Sequence, residues 1–389
     1  MKTYVHLICN DIKLFNTFAE SELFGKVTIG AQIEDTNKEP FDCVVISDRI
    51  LRFNELVEVI EQGRLKANKI FYLTSNTYNS TQLNNLKIRL QSMGVFCFPP
   101  KLTLHQILEK FCQEVNIDTK SNKNVVAFFG ADSKVGCTIT ALAVAESLAE
   151  HTSCSVGFLN LQGHISFNYL SESIDGFGMD SIKSKIFSSV LSMQELRSSM
   201  IERGNLFILP GVQTITDLRY YQPKHVEFLV NLASELFDIV IVDAGSNPNS
   251  GFYIGALNCT SNRYMIATQQ ESCYKAFDQV NEQILKTLSI DTETFILVIN
   301  RYSGILDNAH TYKLAQANFG MTNAVVLPNV NGVFWQTEID HKTIRNYNDT
   351  EYNNRLTELN RIIAGQLSVE YKDNLSKRKE KGLFSWLKK

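Results

Sequence analysis

The sequence predicts an α/β protein of two domains, each a parallel sheet covered on both faces by helices. Three observations carry that expectation. Short apolar runs rich in Val, Ile and Phe alternate with amphipathic helical segments along most of the chain, the pattern of fully buried strands and their crossover helices. A polar stretch without apolar periodicity, residues 116–124, parts residues 1–115 from the remainder. At 389 residues, with 44% hydrophobic and 20% charged residues, the chain can fill two cores.

In residues 1–115 a strand at 4–9 is closed by Asn10 and Asp11. A helix carrying Phe15, Phe18 and Leu23 follows, then strands at 27–29, 41–47 and 69–74, a helix at 82–93, a strand at 95–98 and a helix at 104–115. Five strand repeats in this length resemble the receiver domain of two-component signalling, a flavodoxin-like doubly wound fold. In that family an acidic pair after the first strand binds Mg²⁺, an Asp ends the third strand as phospho-acceptor, a Thr or Ser ends the fourth, and a Lys ends the fifth. Here those positions hold Asn10 and Asp11, Ser47 (with Asp48 one residue on), Thr74, and Pro99 with Lys101 two residues later. Serine cannot form an acyl phosphate, and recruiting Asp48 needs a one-residue slip that turns side chains to the opposite face. The resemblance therefore implies a receiver-shaped adaptor and not a phosphorelay.

The second domain, residues 125–368, opens on the stretch that organises it. Residues 125–129 are apolar, a small-residue turn runs from Gly130 to Gly136, and an Ala-rich helical segment begins at Cys137. Strand, loop and helix in that order make a phosphate-binding loop, G-x-x-x-x-G-K-[ST], whose backbone N–H groups, Lys and hydroxyl meet phosphate and Mg²⁺. Gly136 and Thr138 occupy the last Gly and the hydroxyl, but the Lys position is Cys137 and the first Gly is Ala131. The candidate nucleotide-binding residues are thus Gly130, Ala131, Asp132, Ser133, Lys134, Val135, Gly136, Cys137 and Thr138. A helix N-terminus lowers the pKa of a thiol, yet no His is placed by sequence to activate Cys137, so a small residue replacing an unused Lys is the plainer reading.

Further strands are expected at residues 155–163, 206–211, 237–245, 263–268, 295–301 and 324–329, with a helix at 225–236. Residues 171–203 are expected to be helical, with Phe177, Ile182, Ile186, Val190, Leu191 and Leu196 on a core face. This order resembles the MinD/ParA-type P-loop ATPases, and its pairing with a degenerate receiver domain resembles their TadZ/CpaE branch, which is implicated in placing Flp/Tad-type pilus machinery at a cell pole. The resemblance implies ATP and Mg²⁺ as ligands, with Thr138 and Asp243 at the metal and Asn300 and Pro328 at the base. It also implies a homodimer. Three departures go against turnover: the family's signature Lys falls on Asp132, the P-loop Lys on Cys137, and the acid that orients water on Asn160, with Gln162 two residues on. Weak or absent hydrolysis is expected.

A net charge of −3 excludes a generally basic nucleic-acid binder, and eight cysteines without a C-x-x-C pair give no zinc signature. With no apolar run of about 18 residues, a cytoplasmic protein is expected, at most peripheral at the inner face of a membrane or at a cell pole. Residues 369–389 form a tail whose last fourteen carry six basic residues and one acid. Leu383, Phe384, Trp386 and Leu387 share one helical face there, the composition of a helix lying on an anionic membrane, with a tail docking its Trp on a partner protein or a solvated tail as the alternatives. Two functions stay open at this point. One is a localisation or scaffold factor for pilus or secretion machinery, with a receiver-like domain that binds partner proteins. The other is an active but atypical MinD/ParA-like ATPase.

Overall fold

The computed structural model describes residues 3–21, 23–33, 41–65, 67–75, 80–115, 122–162, 177–304, 317–321, 323–330 and 332–372. The chain divides into two compact units, Met1–Lys120 and Ser121–Lys389.

The first unit contains β1 (Thr3–Ile8), α1 (Ile12–Ala19), β2 (Phe24–Gly30), β3 (Phe41–Ser47), α2 (Phe53–Glu61), β4 (Ala67–Leu73), α3 (Ser80–Ser92), β5 (Val95–Phe98) and α4 (Leu104–Glu114). Its five strands are all parallel, in the doubly wound order β2-β1-β3-β4-β5. Alternation along the strands divides the core in two. Val5, Leu7, Cys43, Val45, Phe71 and Phe98 pack with Leu14 and Phe18 of α1 and Phe111 of α4. Ile8, Val44, Ile46, Tyr72 and Val95 pack with Leu56 of α2 and Leu86 and Leu90 of α3. Asp11 caps α1 by accepting from the N–H of Leu14 at 3.1 Å. The helix stops at Ala19, short of Leu23, which is exposed; the Ser21 hydroxyl turns back onto the Phe18 carbonyl at 2.7 Å. The sequence reading also leaves α2 unassigned, a short helix started by the Glu55 carboxylate on the Arg52 N–H.

The second unit contains β6 (Val125–Gly130), α5 (Cys137–His151), β7 (Val156–Asn160), α6 (Met179–Phe187), α7 (Met193–Ser198), β8 (Ile201–Arg203), β9 (Leu206–Leu209), α8 (Pro223–Leu236), β10 (Ile239–Asp243), α9 (Gly251–Cys259), β11 (Asn262–Ala267), α10 (Glu271–Val280), β12 (Phe295–Tyr302), β13 (Asn323–Pro328), α11 (Phe334–Asp340) and α12 (Thr350–Gln366). The eight strands run β13-β12-β11-β6-β10-β7-β9-β8, and only β8 is antiparallel. This edge strand falls within the segment expected to be helical. It is three residues long with Glu202 and Arg203 exposed, features that blunt an open edge. In the same segment Ile182, Ile186, Leu191 and Leu196 are buried, but Phe177 and Val190 are exposed, because both lie outside the helix, Phe177 before its start and Val190 in the break between Phe187 and Met193.

Every residue of β6 is buried, and its Phe pair grips both faces of the sheet. Phe128 stacks on Tyr264 at 5.2 Å between ring centres, while Phe129 meets Tyr253 and Phe295 edge-on at 4.9 and 5.8 Å. The chain leaves β6 for β7, returns to insert β10 between them, and then crosses to β11 on the far side. The strand order therefore switches direction at β6, and the crevice at the carboxyl ends there is where open α/β sheets take ligands. At the far end of α5, Tyr371 stacks on His151 and shares a hydrogen bond with Ser147, and the N–H of Lys372 donates to the His151 carbonyl.

In the first unit, Phe111 is fully buried against Phe18, Phe24 and Phe71, with ring centres 4.6–5.5 Å apart. Phe111→Ala is expected to destabilise this unit by about 3–5 kcal/mol, seen in urea unfolding as an early transition while the second unit keeps its own.

Candidate functional site

The loop between β6 and α5 is suspended from the ends of its neighbours. The N–H of Gly130 donates to the Gly245 carbonyl beyond β10 at 2.7 Å, and that of Ala131 to the Ile266 carbonyl of β11 at 2.9 Å. From β12, the Asn300 side-chain amide donates to the Val135 carbonyl at 2.9 Å. Gly136 caps α5 at φ 90, and a Cβ there would stand 2.3 Å from Asn300 Nδ2, so both conformation and space demand glycine. Lys134 also takes a left-handed backbone, at φ 58.

The head of α5 faces out with its donors free. The N–H groups of Gly136, Cys137, Thr138 and Ile139 find no acceptor among the described residues. Unpaired N–H groups at the start of a long helix make an anion site. Two buried side chains beside them are also unmatched. Asn160, ending β7, is 1% exposed with neither amide atom bonded. It pairs in register with Asp243, ending β10, which is fully buried and whose Oδ2 is likewise without a partner. Buried polar atoms left unpaired cost about 1–3 kcal/mol each, and side by side at a ligand crevice they mark a place for a bound group. Thr138 Oγ1 donates to Gln162 Oε1 at 3.0 Å, and Asp243 Oδ1 accepts from the Gly245 N–H at 3.1 Å.

At Cys137 burial outweighs the effect of the helix start, in line with a small residue replacing an unused Lys. Burial, and next the Asp243 carboxylate, push the thiol well above its ordinary value, and the Gly245 backbone opposes this only in part. The thiol is therefore protonated and packed inward, unlike a reactive cysteine at a helix N-terminus. Burial also raises the Asp243 carboxyl, against the pull of the Thr138 hydroxyl, the Gly245 N–H and the Cys137 thiol. Asp132 Oδ1 accepts from the Ser133 N–H at 2.6 Å, while Lys134 is exposed.

The residues present fit a nucleotide phosphate through the main chain, and Mg²⁺ only through ligands shared with that phosphate. Thr138 and Asp243 bring one hydroxyl and one carboxylate, and no group of three His, Cys, Asp or Glu side chains among the described residues could hold a metal alone. Asn300 has its amide engaged on Val135 and on the Arg301 N–H, so its evident work is bracing the loop. Pro328 ends β13 half-buried. Leu383, Phe384, Trp386 and Leu387 lie outside the described residues, among which no helix is long and apolar enough to cross a membrane.

Solved structures match this architecture. The second unit has the fold of the ParA and MinD ATPases. A ParA-family ATPase from Chlorobium tepidum TLS superposes with a TM-score of 0.54 at 15% identity, over 61% of this chain and 98% of that one. The MinD cell division protein of Aquifex aeolicus gives 0.50 at 15% identity, over 62% and 97%. The septum site-determining protein MinD of Pyrococcus horikoshii OT3, complexed with Mg-ADP, gives 0.48 at 13% identity, over 66% and 100%. The first unit is 120 of 389 residues, too few for such coverage, so the match lies chiefly in the second. Neither a protein-family model nor a curated protein matches the sequence.

In the first unit the receiver-type positions are engaged locally. Asp11 caps α1, Ser47 Oγ accepts from Arg49 N–H at 3.3 Å, and the Thr74 hydroxyl donates to the Phe98 carbonyl at 2.6 Å. Asp48 is buried just beyond β3, with Oδ2 accepting from the Ser75 N–H at 2.6 Å. In the second unit, sequence reasoning missed the supports of the loop, Gly245 and the Ile266 carbonyl; the Asp-Ala-Gly ending of β10 was the available signal for the first. A cleft of about 510 Å³ at the far end of α5 is lined by Glu146, Glu150, Arg203 and Arg345; Arg345 pairs with both glutamates, and the group stands apart from the loop.

Two outcomes follow from these charges. Native Cys137 should resist iodoacetamide between pH 7 and 9 and react only after unfolding, as read by peptide mass mapping. Ionising buried Asp243 weighs against the fold, a burden absent below its unfolded value of about 3.9 and setting in as pH rises through the higher folded value. Asp243→Asn should therefore stabilise the ligand-free protein at pH 7 by about 1–3 kcal/mol, and urea unfolding near pH 4 should show the gain gone.

Proposed function

We propose that this chain is a localisation or scaffold factor whose second unit binds a nucleotide without efficient turnover. The observation that carries the reading is the free row of N–H groups from Gly136 to Ile139 beside unmatched Asn160 and Asp243. A cradle of this kind takes phosphate through the main chain, with Thr138 and Asp243 available to Mg²⁺ once phosphate supplies the other ligands. What turnover needs is replaced: Cys137 brings no cation, and the Asn160 amide cannot take a proton from water. The nucleotide would act as a bound switch for a homodimer. The first unit, with its 2-1-3-4-5 sheet and engaged acidic positions, suits a receiver-like adaptor for partner proteins. The basic tail with Leu383, Phe384, Trp386 and Leu387 would touch an anionic membrane at the inner face or cell pole. The resemblance to the TadZ/CpaE branch suggests Flp/Tad-type pilus or related secretion machinery as the setting.

Calorimetric titration with Mg²⁺ and ATP or ADP, alongside a phosphate-release assay, tests the reading. Binding of at least one nucleotide with phosphate release near background is expected, and Cys137→Lys should tighten binding by about 10–150-fold, the worth of one charge-assisted contact. Rapid release of phosphate by the unmodified protein, abolished by Asp243→Ala, would instead establish the atypical ATPase. Absence of binding by either nucleotide would remove the site altogether.

A further inference from the structure

The charges around the loop are unusual for a polyphosphate site. Asp132 stands at its head, and its Oδ1 occupies the Ser133 N–H, so a main-chain donor meets a carboxylate in place of a ligand. Lys134 is the one cation between Gly130 and Thr138. Asp243 adds a second carboxylate, fully buried with Oδ2 unmatched, against the neutral thiol of Cys137. Asp132 offsets Lys134, so the loop brings no net positive charge before any ligand arrives.

Donors and charges divide the phosphates of a nucleotide unequally. The four N–H groups from Gly136 to Ile139 suffice to clasp one phosphoryl group at the head of α5. The lysine that ordinarily reaches the two outermost phosphates is a buried thiol here. A third phosphoryl group adds negative charge and finds no new cation, with Asp132 repelling it. Asn160 can offer an amide hydrogen, but it brings no charge.

We propose that the site discriminates by charge and holds a nucleoside diphosphate with Mg²⁺ at least about tenfold more tightly than the triphosphate. This rests on the reading of the second unit as a nucleotide site. The switch is then occupied or empty according to diphosphate level, and hydrolysis has no part in setting it.

The test is calorimetric titration of the full chain with Mg-ADP and Mg-ATP, repeated on Asp132→Asn. Asparagine keeps an oxygen for the Ser133 N–H and removes only the charge, and a thermal melt checks that the variant is folded. ADP should bind at least about tenfold tighter than ATP, and Asp132→Asn should narrow the ratio by tightening ATP alone. Equal or tighter binding of ATP by the unmodified chain overturns the inference while leaving the nucleotide site standing. A ratio unchanged in folded Asp132→Asn overturns the role given to that charge. Failure of both nucleotides to bind removes the underlying reading as well.

Discussion

The loop after β6 takes its shape from groups outside itself. Gly245 and Ile266 hold its first residues by their carbonyls, and Asn300 holds its far side by an amide, so the ends of β10, β11 and β12 jointly decide where the backbone runs. Once those three points are pinned, the left-handed turn at Gly136 follows, and α5 must begin with its N–H groups pointing into the crevice. Parallel strands make this possible, because all their carboxyl ends arrive at one edge. The polar groups gathered there are a consequence of topology before they are a matter of chemistry.

What the frame carries is altered in a consistent direction. Three positions that would move or neutralise charge hold residues that do neither: Cys137 is neutral, Asn160 is an amide, and Asp132 has the opposite sign. The framing residues are intact by contrast, with Gly136 in the cap, Thr138 within reach of Gln162, and Asp243 at the end of β10. A protein that had abandoned the crevice would gain by filling it with apolar side chains, because buried unmatched groups are destabilising. Asn160 and Asp243 are buried and polar there all the same.

Much of this could be read from residue patterns. The strands of both sheets show as apolar runs, since burial on both faces leaves little room for polar residues, and the loop shows through Gly130, Gly136 and Thr138. Three kinds of feature escaped. Helix α2 and strand β8 went unassigned, as did the helices α9, α10, α11 and α12 of the second unit. Phe177 and Val190 are apolar yet exposed, because sequence cannot say where helix α6 begins and ends. The cause that keeps Cys137 inert was not legible, since proximity to a helix start is local, whereas burial against Asp243 depends on a strand more than a hundred residues away. The bracing role of Asn300 is equally a tertiary fact.

Helix α5 links two places that are otherwise remote. Its first turn carries the unpaired N–H groups, and its last turn holds the Tyr371 ring and the Lys372 backbone through His151 and Ser147. Fifteen residues make a rod of about 22 Å, packed along most of its length and so resistant to bending. A rod of this kind acts as a lever: a tilt of about 5° at the cradle carries its far end by about 2 Å, given that length. A displacement at the N–H groups of Cys137 and Thr138 would reach, without any intervening loop, the Tyr371 and Lys372 contacts at the other end of the helix.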